Sequence, residues 1–169
     1  MWCARPAVPW WALTARRTQL GVAAGRSGAL VHGDAARLPF ADGVFSTVLA
    51  LWISTDVDDF AAVLREAARV LRPGGLLIVY GVHPCFNGPC VENRPDGARI
   101  VHPTYRVAGW HEAAPWWRPG GLRQRLGVRH VPLSDLFNAV LTAGLVISGV
   151  EEPRDEPLPY VLALRAHRG

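Results

Sequence analysis

The residues of this chain best suited to chemistry are the polar side chains that follow its apolar runs. Asp34 comes after the run Ala29 to His32 and one glycine, so it stands at the end of a short strand. A carboxylate accepts hydrogen bonds without donating them, and Ala35 behind it is small enough for a ligand to approach the backbone. The plain alternative is that Asp34 only caps the turn through Arg37. His83 follows the run Leu76 to Val82. Histidine titrates near neutrality, so His83 is a candidate general base, and equally a turn histidine with no chemical part. His83, Cys85, Cys90 and His102 are zinc-ligand types, but H-x-C-x4-C-x11-H is an irregular spacing and the expectation is no metal. Asp56, Asp58 and Asp59 precede a helical pattern, where acids cap and favour the first turn. Tyr105, Trp110, His111, Trp116 and Trp117 offer aromatic surface, either for a planar acceptor or as a satellite cluster under a loop.

The elements that must position these residues follow from periodicity. Val44 to Leu51 and Leu76 to Val82 are nearly continuous apolar runs, which predicts strands of a parallel sheet covered on both faces. Between them Phe60, Val63, Leu64, Ala67, Ala68 and Leu71 recur at helical spacing, and Pro73-Gly74-Gly75 stops the helix. Ligands of such sheets bind beyond the carboxyl ends of the strands. Here those ends are Asp34, the Ala50-Leu51-Trp52 segment and Gly81-Val82-His83. Residues 83–121 form a long Pro- and Gly-rich stretch at the same edge, which suits a substrate lid. A helix starting at Val131-Pro132-Leu133-Ser134 turns Leu136, Phe137, Val140 and Leu141 inward. Leu145 to Val150 and Tyr160 to Arg165 are the last two strands.

Half of the 169 residues are hydrophobic and 19% are charged, which is the composition of one globular domain. All 18 basic residues are arginines and they are scattered, so the net charge of +4 does not amount to a nucleic-acid surface. No apolar run approaches the ~20 residues that span a bilayer. Three cysteines, an odd number, argue against a disulfide framework, and the expectation is a cytoplasmic protein.

GDAARLPFADGVFSTVLALW, an acidic helix start and LRPGGLLIV, in that order, resemble the second half of a class I S-adenosylmethionine-dependent methyltransferase, of the small-molecule group with a D-A-x-x-L-P-F turn. The resemblance runs from about Gln19 to Arg165. It implies an α/β fold: a partial Rossmann-like sheet with helices on both faces and an antiparallel last strand. It also implies methyl transfer from S-adenosyl-L-methionine to a small-molecule acceptor, with neither nucleic acid nor membrane as partner. In the family, Asp34 accepts from the adenine amine and the Ala35 N–H meets a ring nitrogen. Ala50, Leu51 and Trp52 line the adenosyl group, with Trp52 stacking on it, walling the acceptor or simply filling core. His83, Tyr105 and Trp110 face the acceptor, and His83 is the candidate base. Ser46 departs from the family's Phe-Asp pair, because Phe45 is followed here by serine.

The N-terminus does not fit. In residues 1–20 fall three of the seven tryptophans and two prolines, and the only strand-like piece is Trp10 to Leu13. The family's first strand with its Gly-rich turn, and a second strand ending in an acid, are not legible. Codons for Pro9-Trp10-Trp11-Ala12, read in a shifted frame, give Val-Val-Gly, so residues 1–17 are read as an out-of-frame translation joined to one methyltransferase domain over 18–169. In the family the first strand is central, so the strand at Val44 to Leu51 is expected to have an unpaired edge, and the truncated chain is expected to bind cofactor weakly. Two alternatives remain: a non-catalytic remnant or partner subunit, and, more distantly, a zinc-binding interaction module on the 85–102 loop. A nicotinamide enzyme is less favoured, because Gly25-Arg26-Ser27-Gly28 follows no strand.

Overall fold

The computed structural model describes residues 11–14, 29–153 and 157–169. Its strands are β1 (Trp11–Thr14), β2 (Ala29–His32), β3 (Phe45–Leu51), β4 (Leu71–Val82), β5 (Val91–Asn93), β6 (Arg99–Val101), β7 (Gly109–His111), β8 (Val128–His130), β9 (Leu145–Glu151) and β10 (Val161–Arg168). Its helices are α1 (Phe60–Val70), α2 (Leu122–Leu126) and α3 (Leu133–Thr142). The helix expected over Thr18 to Arg26 and the segment before Trp11 lie outside the described residues.

A sheet in the order β3-β4-β10-β9 organises the molecule. β3 runs parallel to β4, and β10 is antiparallel to both β4 and β9, as the terminal strand was expected to be. β4 alternates, with Leu77 and Val79 buried and their neighbours half-buried. The buried set joins Leu162, Leu164 and Ala166 of β10 and meets Phe60, Leu64, Ala67 and Ala68 of α1 and Leu136 and Val140 of α3. α1 starts at Asp59, whose Oδ1 accepts from Ala62 N–H at 2.8 Å, so Asp59 is the cap among the acids before this helix.

Three expectations change in detail. β4 begins at Leu71 rather than Leu76, because Phe45 pairs with Leu71 before the register jumps to Thr47 opposite Leu76. The Arg72-Pro73-Gly74-Gly75 turn is thus a bulge inside the strand, where Gly74 takes φ +71° and a Cβ on Gly75 would come within 2.8 Å of Arg72 O. Leu141 is 54% exposed, since α3 meets the core through a narrow stripe of Leu136 and Val140. The 83–121 stretch is not an open loop. It folds into the pairs β5–β6 and β7–β8, tied down by the Trp116 and Trp117 indoles, which both donate to Pro89 O at 3.0 and 3.1 Å.

β1 and β2 form a separate parallel pair, so Trp11–Thr14 supplies a strand that could only be glimpsed in the sequence. Among the described residues β3 pairs with β4 alone, and its other edge is open. Leu49 and Leu51 on it are 58% and 51% exposed, as an unpaired edge requires. The β1–β2 pair is joined to the main sheet by rings and by one guanidinium. Phe40 packs edge-on against Trp11 at 5.8 Å and against Phe45 at 4.9 Å. Arg69 on α1 donates to both oxygens of Glu66, to Asp42 Oδ1 at 2.6 Å, and to the carbonyls of Phe40 and Leu38 at 2.8 and 3.0 Å. Glu66 in turn accepts from Leu38 N–H at 2.8 Å.

Leu64 is fully buried at the centre of α1, so Leu64→Ala should cost about 2–5 kcal/mol in urea unfolding. Arg69→Lys should lower the urea midpoint nearly as far as Arg69→Met, because a point-like ammonium cannot replace a planar fork that serves five acceptors; recovery of the midpoint by lysine would contradict the clamp.

Candidate functional site

The site is built where strands end. β2 runs into Gly33 and Asp34; Gly33 N–H donates to Thr14 O at 3.2 Å, which closes the top of the β1–β2 pair. Asp34 is exposed, its Oδ1 accepts from Ala36 N–H at 2.9 Å, and its carbonyl accepts from Arg37 N–H at 3.0 Å. The capping role weighed from the sequence is therefore present. It also holds the carboxylate at the rim beside an Ala35 N–H that meets no protein acceptor among the described residues. An acceptor next to a donor is complementary to an amino group beside a ring nitrogen, so this turn fits the edge of an adenine.

β3 ends at Leu51, and Trp52 follows with φ +59°, the one non-glycine residue with positive φ among the described residues. Such a backbone is costly for a bulky side chain and persists only when neighbours hold it. Here Trp52 N–H donates to Tyr80 O at 2.7 Å, and its indole meets the Tyr80 ring edge-on at 5.6 Å. The left-handed turn re-aims the chain, and Ser54, two residues on, becomes 8% exposed. Ala50 is buried beneath, while Leu51 and Trp52 stay half-exposed at the tip.

His83 is 2% exposed and committed within the protein. Its Nδ1 accepts from Cys85 N–H at 3.2 Å, which leaves Nε2 as the donor to Glu152 Oε1 at 2.8 Å. That is the arrangement of a turn histidine, and it presents no free lone pair. Tyr105 lies beside the same loop: its hydroxyl is 3.5 Å from Cys85 Sγ and accepts from Leu133 N–H at 3.0 Å, and burial pushes its ionisation up. Trp110 is half-exposed elsewhere, donating to Asp58 Oδ1 at 2.8 Å at the entry to α1. His83 and Tyr105 thus share a neighbourhood through Cys85, and Trp110 stands apart from them. The four zinc-type residues are dispersed in their bonding. His102 pairs with Glu92 at 3.1 Å, Cys90 Sγ faces Pro84 O, and no group of three or more metal-ligating side chains occurs among the described residues.

Two residues that the sequence did not single out for chemistry join the site. His130 on β8 is 2% exposed, with Nε2 donating to Tyr105 O at 2.8 Å, and burial lowers its proton affinity. Arg129 beside it has a buried Nε with no partner among the described residues. Both line a narrow slot together with Ser54, Thr55, Val82, Pro84 and Gly88, at the carboxyl ends of β3 and β4. A wider cleft of about 150 Å³ continues past Phe60, Ala61, Ala108, Val131 and Ala139. A period-two reading of Val128-Arg129-His130 would have placed His130 on the buried face, which was the available signal.

The sequence matches the family model described as a methyltransferase domain over residues 11–79. It is 49% identical over 69 residues to a demethylmenaquinone methyltransferase of Mycolicibacterium gilvum, covering 41% of this chain and 30% of that protein. Against the demethylmenaquinone methyltransferase of Mycobacterium marinum it is 59% identical over 49 residues, 29% of this chain and 21% of the relative. An S-adenosylmethionine-dependent methyltransferase structure from Mesorhizobium loti superposes on 94% of the chain and 80% of its own, with a TM-score of 0.75 at 19% identity.

Residues 11–79 carry the sequence pattern of a methyltransferase domain, and the fold is that of S-adenosylmethionine-dependent methyltransferases.

The solved structures that share this fold are named as S-adenosylmethionine-dependent methyltransferases. The matched stretches span less than a third of either curated relative. No helix among the described residues is long and apolar enough to cross a membrane.

Burial holds the His130 proton affinity below the ordinary 6.5, opposed by its bond to Tyr105 O. The unfolded chain therefore takes up this proton first as the pH falls. Its stabilising contribution is full above pH 6.5 and is lost as the pH drops through the lower folded-state value. Urea midpoints measured across that range should fall in the wild type and fall less in His130→Gln.

Proposed function

We propose that this chain forms the adenosyl-facing and acceptor-facing part of an enzyme that transfers a methyl group from S-adenosylmethionine to a small-molecule acceptor. The observation that carries the reading is the pairing of two strand-end turns: the Asp34–Ala35 acceptor and donor, and the left-handed Trp52 that closes β3. When bound, the cofactor supplies a methyl group on a sulfonium, already activated for displacement. The protein's task is then to hold the two reactants close and in line, which accelerates such reactions greatly.

In this reading Asp34 accepts from the adenine amine and Ala35 donates to a ring nitrogen. Ala50 and Leu51 give the apolar floor beside the ribose and Trp52 walls it. Tyr105 and His83 belong to the acceptor side, where His83 holds the 83–87 turn through its two ring bonds and acts by position. Trp110 shapes the outer mouth near α1. The acceptor is a small organic molecule; the named relatives are demethylmenaquinone methyltransferases, and a quinone-like ring matches the aromatic and apolar lining. A partner that is neither nucleic acid nor membrane, and a cytoplasmic location, fit the scattered arginines.

A second reading has its own support. The open edge of β3 leaves the methionine end of the cofactor without a protein wall among the described residues, which favours a chain that keeps the fold and binds cofactor poorly. S-adenosylhomocysteine titrated into the isotopically labelled chain should shift resonances of residues 33–36 and 50–53, even at millimolar affinity, and Asp34→Ala should remove those shifts. An unchanged spectrum at saturating ligand would reject the methyl-transfer reading for this chain and leave the remnant.

A further inference from the structure

A corner of the molecule built from β7, α2 and β8 holds large apolar side chains in water inside a fringe of cations. Leu122 is 71% exposed, and Leu126, one helical turn on, is half-exposed on the same side of α2. Trp110 on β7 lies against the end of α2, where a Cβ on Gly127 would meet its Cε3 at 3.7 Å. Its indole N–H is satisfied by Asp58, and its ring stays half-exposed. Val107 is half-exposed too, and its carbonyl accepts from Nε2 of His111, on the same strand as Trp110. Arg106 precedes Val107, Arg118 precedes the Pro-Gly-Gly turn into α2, and Arg125 precedes Leu126; all three arginines are exposed. The charge is concentrated here. Residues 103–130 hold five arginines and one acid, Glu112, an excess of four that equals the net charge of the chain. Outside them thirteen arginines meet thirteen acids.

We infer that this corner docks peripherally on a bilayer with anionic headgroups. Leu122, Leu126, Trp110 and Val107 enter the interfacial layer, and Arg106, Arg118 and Arg125 meet the headgroup phosphates. The combination of the two chemistries decides the partner. An element with leucine and tryptophan on one side and arginines around it lies in a lipid interface without crossing it. Nucleic acid would take the arginines but leave the two leucines in water, since phosphate contacts bury no aliphatic surface. A second copy packed symmetrically on the same corner would set one group of arginines against the other. The inference replaces, for this face, the membrane-free partner proposed above. The arginines are scattered along the sequence, but their excess over acids is not.

The corner borders the apolar cleft. Ala108, next to Val107, lines that cleft, and so does Arg129, which pairs with Trp110 across the β7–β8 ladder. A docked bilayer therefore lies beside the cleft mouth. Docking itself stands apart from the methyl-transfer reading, and only the use made of the cleft rests on it. Two forces act together. Each exposed arginine near an anionic surface adds about fivefold to partitioning, and salt screens that share within a Debye length. The apolar share comes from side chains that water already surrounds, and it does not respond to salt in the same way.

The test uses the full chain and sedimented vesicles of phosphatidylcholine, with and without phosphatidylglycerol. The chain should pellet with the mixed vesicles, remain in solution with the neutral ones, and be released progressively by added salt. Arg118→Gln with Arg125→Gln should lower the partition coefficient by about 25-fold, fivefold for each charge removed. Leu122→Ser with Leu126→Ser should weaken binding as well while preserving the circular dichroism spectrum, because both side chains already face water. Brominated acyl chains should quench tryptophan fluorescence in the wild type and quench it less in Trp110→Phe. Equal binding to both vesicles, binding to neither, or leucine variants that bind like the wild type would overturn the inference. Capture of a DNA duplex in place of vesicles would overturn it too and give the face to nucleic acid. No arm involves the cofactor. If S-adenosylhomocysteine does not bind but the preference for anionic vesicles persists, the docking surface stands and the methyl-transfer reading falls.

Discussion

The Arg69 guanidinium holds this structure together where the chain itself does not. Among the described residues the β1–β2 pair shares no hydrogen-bond ladder with the main sheet. What joins them is the Leu38–Asp42 turn, whose three acceptors close on the planar Arg69 cation while the two Glu66 oxygens hold it from behind. The bond to Arg69 is the largest reason the Glu66 carboxyl is held below the usual range, and Glu66 in turn pushes Arg69 upward. Arg69 also receives the end of the fold, because its own carbonyl accepts from Gly43 N–H and from Arg168 on β10. The strand-end turn at Asp34 therefore keeps its place relative to the tip of β3 through a helix on the back of the sheet. The proposed adenosyl cradle would be only as rigid as that link.

The open edge of β3 is the second constraint. Its apolar residues read in the sequence as a strand buried on both sides, yet Val44, Leu49 and Leu51 are half-exposed, and the edge away from β4 carries no paired neighbour among the described residues. Unmade ladder bonds and uncovered apolar surface both weaken a strand. Strand β3 nonetheless ends in a left-handed tryptophan, held by Tyr80 from the one strand it does pair with. The described strands shape a carboxyl rim, and ligands of such sheets bind beyond the carboxyl ends of their strands.

The folded 83–121 segment gives the rim its other wall. Indole N–H groups converge on Pro89 O, His102 stacks on Trp116 at 3.6 Å, and Arg123 reaches back to the carbonyls of Asn87 and Gly88. These bonds fasten residues 87–89 next to His130. Aromatic residues that could equally have faced an acceptor are mostly used to hold the wall, and the buried side-chain atom left without a partner among the described residues is Arg129 Nε, in the slot.

Much of this was legible in the residues themselves. The apolar period of α1, the carboxylate after β2 and the antiparallel last strand all follow from local patterns, since helix period, turn chemistry and strand alternation are properties of short stretches; the Pro73-Gly74-Gly75 stop became a bulge only through its pairing with β3. The motif order from Gly33 to Val79 carried the resemblance, and it lies within the stretch that the methyltransferase-domain model matches. Only the tertiary structure decided which polar groups are spent and which are free. His83 follows β4 and His130 closes β8, so each stands at the end of a strand. One has both ring nitrogens satisfied by Cys85 and Glu152, and the other keeps a lone pair facing a slot. Hydrogen-bond partners are chosen across distances of 25 to 69 residues, and no local pattern encodes them.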